Sequence, residues 1–295
     1  MTTLTDKITT RLSPAHRQAI LWGVGVAVLW WLIAFLLYTS SDAVRVWHDQ
    51  TYIFRPVSFD NPYATQGFVH PIWIVPLIYP FRWLPLEVST LVQAIIYFVA
   101  LSLVIVKFGG GRREILVTLL SYTCLDAVLQ MNVDWLVVVG MLLPVWASGP
   151  FVLAKPQIGT GYYVGLSVRD WLKMAVLMGT VGILTILIWG WWPQTVLDLV
   201  SEYSIGRFFN VAPSQYLSYL SLVIGLSLSI WAYRRQDVPL GVLAWLFFTP
   251  YLAAYSLPLM LGMLAIKWFR LALIFTLAYW IVLVIAVGPM IVGSL

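Results

Sequence analysis

Asp60, Asn61, Gln66 and His70 share the stretch 59-FDNPYATQGFVHPIWIVPLIYP-80 with four prolines, in a chain that is otherwise almost wholly apolar. Just upstream, 47-WHDQTY-52 carries Asp49; far downstream, 154-AKPQ-157 places Lys155 inside an apolar segment. A carboxylate at the mouth of a cavity can take a proton from a hydroxyl nucleophile. An ammonium in an apolar segment costs roughly 2.5–3.5 kcal/mol to insert, a cost offset by water or by an anion such as a lipid phosphate. Each residue also has a plainer reading. Asp42, Asp49 and Asp60 fit solvated loop acids or helix caps, with 40-SSD-42 capping a short helix through Trp47. Lys155 fits a side chain that snorkels to an interface or pairs with an acid. Asp126, Gln130, Asn132 and Asp134 fit either a capped turn or a polar wall of the same cavity. His70, directly before Pro71, fits a hydrogen-bonded cap.

The composition sets the solvent in which this chemistry must happen. Of the 295 residues, 61% are hydrophobic and only 10% charged. Soluble domains carry about a quarter charged residues, so the chain requires a bilayer. The 16 Trp and 15 Tyr suit membrane interfaces. A net charge of +5 reads as cytoplasmic loops, and nucleic acid is not an expected partner. The single cysteine, Cys124, excludes an intramolecular disulfide and a cysteine metal cluster, and reads as a buried, inert thiol. His16, His48 and His70 are scattered without helical ligand spacing, so no zinc site is expected. The 109-GGG-111 run lacks the Lys-Ser/Thr of a phosphate-binding loop. No metal and no cofactor are expected.

The elements that must position these residues follow from apolar length. The reading is an all-α polytopic membrane protein forming one domain over 1–295, with about nine to eleven membrane helices. A first helix spans 18–38, retained rather than cleaved, and a second spans 86–107. Two shorter helices, 114–129 and 133–148, enclose 126-DAVLQMNVD-134. Further spans follow at 174–192, 216–233, 239–254, 256–268 and 271–292. Residues 1–17 form a cytoplasmic N-terminus, 39–84 a large outer loop with short helices, and 193–215 a second outer loop. Within that second loop, 202-EYSIGRFFN-210 reads as an amphipathic interfacial helix.

With the N-terminus cytoplasmic, Lys7, Arg11, Arg17, Lys107, Arg112, Arg113, Arg169, Lys173, Arg234, Arg235, Lys267 and Arg270 fall inside. Arg45, Arg55, Arg82 and Arg207 fall outside. Residues 149–168 must then enter and leave on one face. At 1.5 Å per residue they cannot cross a ~30 Å core twice. They read as a re-entrant or broken segment, with the Pro and Gly of 149-GPFVLAKPQIGTG-161 supplying the breaks. Such backbone survives at membrane depth only where protein buries it or a wet cavity meets it.

Asp49, Tyr52, 61-NPY-63 and 70-HP-71, in that order, resemble the GT-C membrane glycosyltransferases. The resemblance is closest to the family 87 type, which uses polyprenyl-phosphate-mannose. The turn 130-QMNVDW-135 resembles that family's Gly-Gln-x-Asn turn, 155-KPQ-157 its Lys-Pro segment, and 249-TPYLAAY-255 its Ser-Pro helix break. The similarity runs from roughly residue 18 to 268. The chain departs from the pattern in its short length, in Leu129 for glycine and in His70 for an aromatic residue.

The resemblance implies a GT-C-like helical bundle in the cell membrane and a polyprenyl-phosphate sugar donor. It implies inverting transfer of a mannose-like sugar to an acceptor hydroxyl on the extracytoplasmic face. Asp49 would be the base. Lys155, Gln157, His70, Arg55, Asn61, Tyr63 and Asn132 would meet substrate or lipid phosphate. Two other readings stay open: a non-catalytic subunit of a larger membrane complex, with other membrane subunits as partners, and a lipid or solute transporter built on the broken segment. Membrane lipids are partners in every case.

Overall fold

The computed structural model describes residues 13–40, 46–204 and 210–292. Asp42, Arg45 and Arg207, and with them the cap at 40–42, lie outside the described residues, as do Lys7 and Arg11. Most of the 202–210 segment does too.

The described chain is built of helices and the loops between them, with no strand among the described residues. The helices are α1 (Pro14–Ser40), α2 (Val75–Ile78), α3 (Leu86–Lys107), α4 (Arg112–Leu119), α5 (Tyr122–Gln130), α6 (Asp134–Leu142), α7 (Val145–Val152), α8 (Pro156–Gly159) and α9 (Gly161–Val164). They continue as α10 (Val168–Trp189), α11 (Trp192–Ser204), α12 (Pro213–Leu217), α13 (Tyr219–Arg235), α14 (Val238–Trp245), α15 (Pro258–Lys267) and α16 (Phe269–Val292). Among the described residues, α1, α3 and α10 are long and apolar enough to cross a bilayer; α5 and α6, bent by 113°, make a fourth if they form one broken span. The chain is thus a helical protein with the spans of a membrane protein.

The core forms where small residues let backbones approach. Ala19, Gly23 and Ala27 recur every fourth residue on the buried face of α1. A Cβ on Gly23 would sit 2.7 Å from the Val99 Cα of α3, closer than any real contact. Small residues at this spacing are how apolar helices associate when lipid is as oily as they are. Indole N–H groups then tie the elements together. Trp30 donates to the Leu119 carbonyl at 2.8 Å and Trp31 to Thr90 Oγ1 at 3.1 Å. Cys124 is buried and its thiol donates to the Thr118 carbonyl, in keeping with an inert role.

Several helices stop earlier than apolar length suggests, and in two of them a proline or a capping residue is the reason. The 114–129 segment is two helices, because Ser121 accepts the Cys124 N–H and caps α5. The 133–148 segment breaks at Leu143, the residue before Pro144, whose extended backbone (ψ 160°) is what a following proline imposes. The 239–254 segment ends as a helix at Trp245. Within the 193–215 segment, expected as a second outer loop, α11 occupies Trp192–Ser204.

Candidate active site in a cavity between broken helices

Most polar residues of the site sit at or beside a break between helices. Trp47, buried and at φ 54°, holds a left-handed conformation, and its N–H donates to the Leu129 carbonyl at 2.5 Å. This turns the chain so that His48 and Asp49 face inward, ahead of a single π-helical turn, Gln50–Phe54. Gln50 Nε2 anchors that turn to Ser89 Oγ of α3 at 3.2 Å. Met131, at φ 50°, ends α5, and the Asn132 side chain accepts the Val133 N–H at 2.7 Å before α6 begins. Lys155 lies between α7 and α8; Pro156 drives it out of helical geometry to φ −138°. Ser256 closes a 3₁₀ turn, Ala254–Ser256, before α15.

These breaks converge on one network. Asn132 Nδ2 donates to Asp49 Oδ2 at 2.5 Å, and Asn132 Oδ1 accepts from Lys155 Nζ at 3.3 Å. The two partners fix the amide's orientation, since the carboxylate needs a donor and the ammonium an acceptor. Lys155 Nζ also donates to Asp134 Oδ2 at 2.9 Å and to Ser256 Oγ at 2.8 Å, and it lies 4.6 Å from the Tyr255 ring centroid. His48 Nδ1 is 3.1 Å from Asp49 Oδ1, which places the ring proton on Nδ1 toward the carboxylate. The Lys155 and Asp134 side chains are 4% and 3% exposed, so this is a buried ion pair. Asp134 Oδ1 has no hydrogen-bond partner among the described residues.

Asp49, Asn132, Lys155, Gln157 and His70 line one cavity of about 1020 Å³. Its polar wall adds His48 and Gln66; its apolar wall comes from Val196, Leu197 and Val200 of α11 and from Pro250–Ala253. That is the upper end of a small-molecule site, with converging polar groups at one side.

Three expected site residues are elsewhere. Arg55 does not reach the cavity: its guanidinium donates to the Leu84 and Arg82 carbonyls at 2.8 and 3.2 Å, stitching the two ends of the 55–84 segment. Asn61 is exposed and begins a 3₁₀ turn ahead of Pro62, outside the cavity lining. Tyr63 supports the site from behind, its hydroxyl donating to the His70 carbonyl at 3.1 Å. His70 lines the cavity but cannot serve as a cation. Burial first, and the Lys155 charge second, push its imidazole down to about 3, so it is neutral. It packs between the rings of Phe54 and Phe68.

His48, Asp134, Tyr255 and Ser256 belong to the site although the sequence did not single them out as substrate contacts. His48 had a signal in its adjacency to Asp49. Asp134 had one in being the acid nearest Asn132. Tyr255 ends the 249-TPYLAAY-255 stretch without an assigned role, and Ser256 is reached only by the fold, which brings both together with Lys155 and Asn132 from a hundred residues or more away. Among the described residues, no three His, Cys, Asp or Glu side chains gather as a metal would require.

Compared with family models, with curated proteins and with solved structures, the chain matches none.

Proposed function

We propose that the cavity transfers a mannose-like sugar from a polyprenyl-phosphate donor to an acceptor hydroxyl, with inversion, in a GT-C-like membrane fold. The observation that carries this reading is the meeting of Asp49 and Lys155 across one cavity through the Asn132 amide. Asp49 draws the proton from the acceptor hydroxyl. The acceptor oxygen bonds to the anomeric carbon as the bond to phosphate breaks on the opposite face, and the electron pair leaves with the lipid phosphate. His48, hydrogen-bonded to Asp49 and with its side chain 32% exposed, carries the proton onward to solvent. Lys155, joined to the same network, offsets the leaving charge; charge fixed in place beforehand often lowers a barrier more than any other single effect. The apolar wall from α11 and 250–253 accommodates the prenyl chain. The bias of Lys and Arg favours a cytoplasmic N-terminus, with the site toward the other face of the cell membrane.

The test is Asp49→Asn in proteoliposomes supplied with polyprenyl-phospho-mannose and a range of hydroxyl acceptors. The expected result is a loss of transfer of about 10²–10⁴-fold with unchanged expression and thermal stability. Wild type silent with polyprenyl-phospho-mannose and every acceptor, or a mutant that still transfers, defeats the proposal. A second reading, a non-catalytic membrane subunit, is favoured by one observation. In the spanning window of α10 only 6% of the residues are buried, leaving a long apolar face for another chain. Wild-type silence in the same assay selects it.

A further inference from the structure

A second groove lies apart from the Asp49–Lys155 cavity, between α1 and α4. It encloses about 590 Å³. Gly25 forms its floor, with no atom within 4 Å of where a Cβ would stand. Leu21 and Leu29 of α1 face Leu116 of α4 and the following Leu120 across it. One end is polar. There Gln18 and Arg112 line the groove, and the Arg112 guanidinium lies 5.2 Å from the Trp22 ring centroid. Arg112 is exposed and has no carboxylate partner among the described residues, whereas its neighbour Arg113 pairs with Glu114 at 2.6 Å.

The length of the groove is informative. From Gln18 to Leu29 the chain rises about 16 Å at 1.5 Å per residue. That is one half of a ~30 Å hydrocarbon core. The groove is therefore one leaflet deep, charged at its mouth and apolar below. A spanning partner helix presents a face about 30 Å long, twice what this groove receives, and no hydrogen-bonding side chain lines the groove between Trp22 and Leu120. An acyl chain needs only the trough, and a phosphate needs only the guanidinium, whose planar donors suit it.

We propose that α1 and α4 form a binding site for one phospholipid of net negative charge. Its phosphate sits on Arg112 and Gln18, and one acyl chain lies over Gly25. The site is independent of the transferase reading.

Native mass spectrometry of the full chain in detergent, titrated with phosphatidylglycerol or with phosphatidylcholine of the same acyl chains, tests it. The expected result is one retained phosphatidylglycerol, held about fivefold or more above phosphatidylcholine. Arg112→Gln should remove that preference. Gly25→Leu, which fills the trough at a position with open space, should lower retention of both lipids while the melting temperature holds. Inorganic phosphate at millimolar concentration should not displace the lipid. Equal retention of the two lipids by wild type, a preference that survives Arg112→Gln, retention that survives Gly25→Leu, or displacement by free phosphate each overturns the proposal. If Arg112→Gln fails to fold, the Gly25→Leu titration decides alone.

Discussion

Helices α3 and α10 have the same length, 22 residues, and nearly the same hydropathy, 2.3 against 2.0, yet 61% of the spanning window in α3 is buried and only 6% of that in α10. Apolarity brings both to the membrane and does not say which one finds protein there. The difference lies in the residues that hydropathy averages away. Helix α3 buries Ser89, Thr90, Gln93 and Ser102, and each makes a specific bond. Thr90 accepts the Trp31 indole, Gln93 accepts the Trp135 indole at 3.1 Å, Ser89 receives Gln50, and Ser102 donates to the Phe98 carbonyl. Helix α10 buries only Thr185, and its Gly179 and Gly182 look onto open space. Polar side chains in an oily segment gain a helix its neighbours, because the alternative is an unpaired dipole in hydrocarbon.

This contrast predicts where substitutions hurt. The largest effect belongs to the polar interior that α3 and its partners enclose. Lys155→Met leaves Asp134 buried without its ion, at a cost of about 3–5 kcal/mol in detergent unfolding. The double change Lys155→Met/Asp134→Leu should recover most of it. If the double variant is as unstable as the single one, the pair is not the reason. Next comes Gly23→Leu, which drives a side chain into the Val99 backbone and should cost about 1–3 kcal/mol or more. Its matched control, Gly179→Leu on α10, should stay within about 0.5 kcal/mol. Equal losses at the two glycines would erase the contrast between the two helices.

A pH titration sharpens the same point through His70, which is buried beside the polar interior. Its folded-state value is lowered to about 3, so between the ordinary histidine value and 3 the unfolded chain binds the extra proton and the folded one does not. Stability is therefore full above about pH 6.5 and falls by about 1.4 kcal/mol per unit as the pH drops toward 3. His70→Phe should flatten that slope, read from unfolding midpoints across pH. The smallest effect is expected from Trp31→Phe, which removes the indole bond to Thr90 and should cost about 0.5–1.5 kcal/mol.

Much of the site was legible because membrane chains rarely keep polar residues without a reason. Asp49, Asn132, Lys155, Gln157 and His70 stand out against apolar neighbours, and all five reach the cavity. Arg55 and Asn61 stand out equally and do not reach it. A residue type reports a capacity to bond and leaves the partner unstated; for Arg55 the partners are two backbone carbonyls. Helix boundaries failed for a related reason. An apolar run of the right length hides a break whenever one proline or one capping serine suffices, as at Pro144 and Ser121. Helix α11 was missed because its acids and amides read as loop. Val196, Leu197 and Val200 fall on one helical face, and periodicity rather than polarity would have found them.

The lysine ammonium has three protons, and Asn132, Asp134 and Ser256 take all of them. An incoming anion cannot simply be added to such a group. It must displace an oxygen already in place, so capture is a ligand exchange with its own barrier and should run slower than diffusion permits. Any anion that bound there would have to evict Ser256 or Asn132 while the Asp134 carboxylate keeps its hold, and the centre would then select by competition before any contact with the rest of the ligand is made.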